Sequence, residues 1–203
     1  MDNDDLRRGK PSCHKAFGEA TALLAGDSLL THAFEIIVSS DLPDESKTMA
    51  VSLLAQNSGV PGMIGGQVID LIFEKGSPSI KELLSVYKLK TGALISAACL
   101  MGCISANANQ EQLAAASKFA YSLGIAFQIQ DDILDVIGDE SKLGKPIGSD
   151  AHNDKFTYVS RVGIETAKKD VQRLTENAVE QLKYFENTDF IRQLAYKLVS
   201  REK

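Results

Sequence analysis

Apolar residues recur at three- and four-residue spacing through nearly all of this 203-residue chain, in long segments separated by short breaks carrying Pro or Gly. That period lines side chains along one stripe of an α-helix. No run of alternating β-branched residues is long enough to build a sheet. The spacing predicts helices over 17–39, 45–58, 63–74, 79–88, 91–106, 110–137, 163–185 and 188–200. Asp41-Leu42-Pro43-Asp44 stops the first, Gly59-Val60-Pro61-Gly62 ends the second, and Gly76 and Pro78 follow the third. The 91–106 segment is apolar nearly all round, as a central buried helix is. With no internal repeat and no linker, residues 1–203 read as a single all-α domain.

Within the longest helical segment lies Phe127-Gln128-Ile129-Gln130-Asp131-Asp132-Ile133-Leu134-Asp135. Residues four apart on a helix stack, so Asp131 and Asp135 share a face with Phe127, and Gln128 sits three before Asp131. Asp132 lies about 100° round from Asp131. Three like charges in one turn repel one another, and a divalent cation would compensate them. Carboxylate oxygens with no neighbouring His or Cys suit Mg²⁺, whose shell is completed by phosphate and water. Acidic runs on helices are ordinarily solvated. Here Phe127, Ile129, Ile133, Leu134, Val136 and Ile137 surround the acids, which favours carboxylates at the mouth of an apolar cavity.

The charge balance narrows the partners. A net charge of −5 argues against nucleic acid, whose phosphates demand a basic surface. Hydrophobic residues at 44% and charged residues at 24% indicate a globular chain. Cys13, Cys99 and Cys103 make no disulfide framework, as in a reducing compartment, and Cys99 and Cys103 read as small core residues. The sequence shows no signal peptide and no apolar run of the ~18 residues a membrane span needs. A cytoplasmic protein without a membrane anchor is the expectation.

Several other groups are suited to a phosphate. The N-terminal cluster Met1-Asp2-Asn3-Asp4-Asp5-Leu6-Arg7-Arg8 mixes metal-binding acids with guanidinium groups. Lys90-Thr91-Gly92 puts a cation and a hydroxyl between two apolar helices, where Thr91 could equally be an N-cap. The Gly144-to-Asp150 loop carries Lys145, with Lys155 and Thr157 beyond it, and a loop of this kind can close over an anion. Gly65 and Gly66 stand inside a helix at a cost of roughly 1 kcal/mol each against Ala, which close packing would explain. Gln67 and Asp70, three apart, share a face of that helix.

Taken in order, MDNDDLRRGKPSCHKAFGEATALLAGDSLL, GMIGGQVIDL, KTGALI, FQIQDDILDVIGD, LGKPIGSD and KFTYVS resemble the trans-type polyprenyl diphosphate synthases, the farnesyl and geranylgeranyl diphosphate synthases among them. The resemblance runs the full length of the chain. It implies an all-α isoprenoid synthase bundle around a central apolar cavity, with Mg²⁺ held between two aspartate-rich motifs. It implies a 1′-4 condensation of isopentenyl diphosphate with an allylic diphosphate, giving a short-chain product such as farnesyl or geranylgeranyl diphosphate. By the resemblance, Asp131, Asp132 and Asp135 form the second aspartate-rich motif, and Asp2 is the last member of the first. Arg7 then contacts the allylic diphosphate and Arg8 isopentenyl diphosphate. Lys90, Thr91, Gln128, Lys145 and Lys155 surround the allylic diphosphate, while Lys90, Gln67 and Asp70 face the reacting carbons. A homodimer is implied as well.

The chain departs from the family pattern at its start. The first two aspartates of the first motif, and the helices before them, are absent from this sequence, so the expectation is an N-terminally truncated synthase. Product length would be set by residues upstream of Met1. An inactive truncated chain, or a non-catalytic partner subunit of a synthase, is the competing expectation.

Overall fold

A 28-residue helix, Gln110–Ile137, is the axle on which the other elements pack. The computed structural model of the chain describes residues 3–7, 9–74, 76–137 and 156–201. Two two-residue strands, β1 (Leu6–Arg7) and β2 (Lys10–Pro11), pair antiparallel in a small hairpin. Helices follow: α1 (Cys13–Phe17), α2 (Glu19–Val38), α3 (Asp44–Ser58), α4 (Met63–Phe73), α5 (Ile80–Tyr87), α6 (Ala93–Ser105) and α7 (Gln110–Ile137). Beyond residue 155 come α8 (Tyr158–Val162), α9 (Ile164–Glu180) and α10 (Asp189–Val199), with a 3₁₀ turn at Gln181–Tyr184. The all-α expectation holds.

Local chemistry sets the boundaries. Gly18, at φ 87° and ψ 156°, divides α1 from α2, so the helix predicted from Phe17 begins at Glu19, and α1 before it is not predicted by the spacing. Side chains rarely adopt that conformation, so the apolar period alone could not carry a helix through it. Ser79 and Glu82 form a capping box that starts α5. Asn107 in the left-handed region (φ 54°) ends the α6 side of the next reversal. Asn109 then caps α7, its Oδ1 accepting from the Gln112 N–H at 2.9 Å while Gln112 Oε1 accepts from the Asn109 N–H at 3.0 Å.

Between α5 and α6 the chain does not break. Lys88–Gly92 forms a π-helical turn, so Ile80–Ser105 runs as one helix with one widened turn. The interruption expected at Lys90-Thr91-Gly92 is therefore a bulge, and Thr91 is not an N-cap.

Two buried clusters share α7. Its C-terminal half sets Ile129 and Ile133 against Val86 and Tyr87 of α5, Tyr158 and Val159 of α8, and Ala167 and Val171 of α9. Its N-terminal half sets Phe119 and Leu123 against Ala178, Val179, Leu182 and Ala195. α9 therefore runs antiparallel along α7.

The opposite side carries exposed apolar surface. No residue of α2 is buried, and Leu23, Leu24, Leu29, Leu30 and Ile36 are exposed on it. Ile64, Val68 and Ile72, at four-residue spacing on α4, are exposed too rather than lining an enclosed cavity. Two helices, Glu19–Val38 and Ile80–Ser105, are long and apolar enough to cross a membrane by length and composition alone. The second contributes Val86, Ala93, Ser96 and Ala97 to the protein interior, which accounts for its apolar character.

Candidate active site

The candidate site grows from two stripes on α7. Gly124, Gln128 and Asp132 are each four apart and face the widened turn; Phe127, Asp131 and Asp135 form the next stripe.

Close backbone approach positions the first stripe. A Cβ on Gly124 would lie 2.7 Å from Gly92 Cα, and a Cβ on Gly66 would lie 2.4 Å from the Lys90 backbone N. α4, the π turn and α7 therefore touch main chain to main chain, which explains a helical glycine such as Gly66. The π turn adds a residue to the helix circumference there. Thr91 Oγ1 donates to Gln128 Oε1 at 2.9 Å, and Lys90 Nζ donates to Asp70 Oδ2 at 2.6 Å. Gln67 shares the α4 face with Asp70. Lys90, Thr91, Gln128, Gln67 and Asp70 thus stand on the π turn and the two helices, α4 and α7, that pack against it.

The three carboxylates of α7 do not act alike. Asp132 is 4% exposed. Its Oδ2 accepts a short hydrogen bond from Tyr87 Oη and another, at 3.0 Å, from the Tyr158 backbone N–H. Tyr87 Oη in turn accepts from the same N–H at 3.1 Å. A buried carboxylate needs such donors, and these tie α5, α7 and the start of α8 together. Asp135 is also buried. Asp131 is more open, and Arg201 Nη2 donates to its Oδ1 at 3.0 Å. The Arg201 guanidinium stacks over the Phe127 ring, 3.7 Å from its centroid.

Among the described residues no three acidic, His or Cys side chains converge on one point, and the 100° step between neighbours separates Asp132 from the stripe of Asp131 and Asp135. Arg7 does not join the acidic turn either. It lies on the exposed hairpin and lines a separate hollow with Asp4, His14 and Glu19. Asp2, Arg8, Lys145 and Lys155 lie outside the described residues, as does the Gly144-to-Asp150 loop.

Tyr158 links the site to α9. Its phenol donates to Asp170 Oδ2 at 2.8 Å, and Arg173 Nη2 donates to Asp170 Oδ1 at 2.8 Å. Burial, reinforced by the Asp170 acceptor, pushes the Tyr158 phenol up to about 12. The hydrogen bond from Arg173, then that from Tyr158, holds the Asp170 carboxyl below its usual value. The sequence assigns no role to Tyr87, Tyr158 or Arg201, although Tyr158 falls within the KFTYVS segment.

Known proteins share this sequence and fold. A family model described as polyprenyl synthetase matches residues 1–197. The chain belongs to the polyprenyl synthetase family. It is 43% identical over 211 residues to a farnesyl diphosphate synthase of Escherichia coli, spanning all of this chain and 71% of that protein. A farnesyl diphosphate synthase of Bacillus subtilis is 47% identical over 171 residues, covering 83% of this chain and 58% of that one. The chain also superposes with a TM-score of 0.85 on an FPP/GFPP synthase from Zymomonas mobilis, at 36% identity over 98% of this chain and 68% of that one. A geranyltransferase from Helicobacter pylori complexed with magnesium and isoprenyl diphosphate gives 0.83 at 31% identity, over 98% of this chain and 65% of that one. The chain thus spans between about three fifths and seven tenths of the length of these relatives.

Proposed function

We propose that this chain carries the allylic-diphosphate side of a cytoplasmic, homodimeric trans-prenyltransferase that condenses isopentenyl diphosphate with an allylic diphosphate, giving farnesyl or geranylgeranyl diphosphate. The observation that supports it best is the joining of Lys90, Thr91 and Gln128 beside the acidic turn of α7.

The donor set fits magnesium. Asp131 offers a partly exposed carboxylate that already draws a cation, Asp135 follows one turn on, and the acidic turn itself carries no His or Cys. When bound, the metal neutralises charge on the diphosphate leaving group. Asp131 and Asp135, with Asp2 from the N-terminal cluster, are the residues that would hold it. Asp132 keeps its place in the motif as the anchor of the turn, engaged by Tyr87 and Tyr158. Lys90 and Thr91 bind and orient the diphosphate, with Gln128 fixing the Thr91 hydroxyl; Lys145, Lys155 and Arg7 add cationic contacts, and Arg8 receives isopentenyl diphosphate. Gln67 and Asp70, on the α4 face next to Lys90, are suited to the developing positive charge on the allylic carbons. Exclusion of water would protect that charge from hydrolysis.

A second reading is favoured by the exposed apolar faces of α2 and α4: a non-catalytic helical subunit that pairs with a synthase. One assay separates the two. Formation of radiolabelled prenyl diphosphate from isopentenyl and geranyl diphosphates with Mg²⁺ supports the enzyme. An absence of product at high protein concentration, together with product once an inactive full-length synthase is added, supports the subunit.

A further inference from the structure

The guanidinium on Asp131 comes from far along the chain. α10 ends at Val199, and the Ser200 N–H closes the last turn on the Tyr196 carbonyl at 2.9 Å. Arg201 is the next residue, beyond the helix, yet its side chain is well covered (22% exposed) because it lies flat on Phe127 while meeting Asp131. Phe127 and Asp131 are four apart, so one turn of α7 supplies both the ring and the carboxylate. An aromatic face and an anion together make a good seat for a planar cation.

We propose that Arg201 is a tethered counter-ion, seated on the Asp131 carboxylate until a divalent cation takes that oxygen and releases the C-terminal end. The proposal rests on the metal role given to Asp131 above. Asp131 Oδ1 cannot keep its hydrogen bond to the guanidinium and accept a metal in the same place. A divalent ion beside a guanidinium also repels it. The two occupants therefore compete, and by linkage each weakens the other equally. A seat filled about 90% of the time would lower the apparent metal affinity roughly 10-fold, since only the open fraction binds. Metal loading would then be read out at the end of α10.

The test uses the intact chain and Mn²⁺ alone. Binding is followed by the loss of the free-ion paramagnetic resonance signal. Release is followed by the rate at which trypsin cuts after Arg201, measured by mass spectrometry. Arg201→Gln should bind Mn²⁺ about 10-fold more tightly than the parent. Mn²⁺ should accelerate cleavage after Arg201 in the parent chain. In Asp131→Asn that cleavage should be fast from the outset and unmoved by metal. If Asp131→Asn weakens Mn²⁺ binding while Arg201→Gln leaves it unchanged or weakens it, the counter-ion idea is overturned and the metal role of Asp131 stands. A cleavage rate in the parent that ignores Mn²⁺ overturns it as well. Mn²⁺ binding that is indifferent to Asp131→Asn removes the metal assignment, and this proposal with it.

Discussion

Asp131 and Asp132 are chain neighbours with opposite surroundings, so amide substitutions should separate them. Asp132 accepts from Tyr87 and from the Tyr158 N–H in a buried site; removing its charge weakens both hydrogen bonds, and removing the Tyr87 hydroxyl leaves the buried carboxylate short of a donor. Asp132→Asn and Tyr87→Phe should each cost about 1–3 kcal/mol, read as a lower urea midpoint with an unchanged slope. Asp131→Asn breaks a partly exposed ion pair and should cost no more than about 1.4 kcal/mol, the equivalent of the 10-fold occupancy given above. The phenol of Tyr158 supplies a pH signature. Its folded value is raised from the ordinary phenol value of 10.0 to about 12, so the stabilisation is complete below the unfolded value and lost as pH rises between the two. Thermal melts of the parent should weaken across that alkaline window more than those of Tyr158→Phe. Asp131 and Asp135 were legible because helical spacing alone stacks them. The inward turn of Asp132 was implicit in its four-residue spacing from Gln128 and Gly124. Tyr87, Tyr158 and Arg201 lie 45, 26 and 70 residues from their aspartates, and no local period marks such partners.

Elements were legible in proportion to length. The 110–137 prediction coincides with α7, whose apolar period is sustained over its 28 residues. The hairpin and α8 were missed, since a two-residue strand or a five-residue helix carries no period to detect. The π turn was taken for a break because Lys-Thr-Gly is polar and flexible, whereas its polarity serves contacts with α4 and α7. Those contacts require missing side chains. Gly124→Ala and Gly66→Ala both drive a methyl into main chain, and each should destabilise by about 1–3 kcal/mol, seen by chemical denaturation. Gly102, with nothing within 4 Å of its ideal Cβ, is the control: Gly102→Ala should be neutral or stabilising by up to about 1 kcal/mol.

At the scale of the molecule, the exposed leucines of α2 form a surface unlike that of an isolated soluble monomer. Light scattering should give a mass above the 22.0 kDa of one chain, and Leu29→Glu with Leu23→Glu should return it toward that value. A monomeric mass for the parent would show that this face is tolerated in water. The other large feature is the sharing of α7 between two buried clusters. Phe119 stands twelve residues, or ~18 Å, from Asp131 along one rigid rod. Its slowest-exchanging amides should therefore run through both clusters and open together. A cavity cut at Phe119 would then be felt as looser positioning of the acids at the other end, with no atom near them altered.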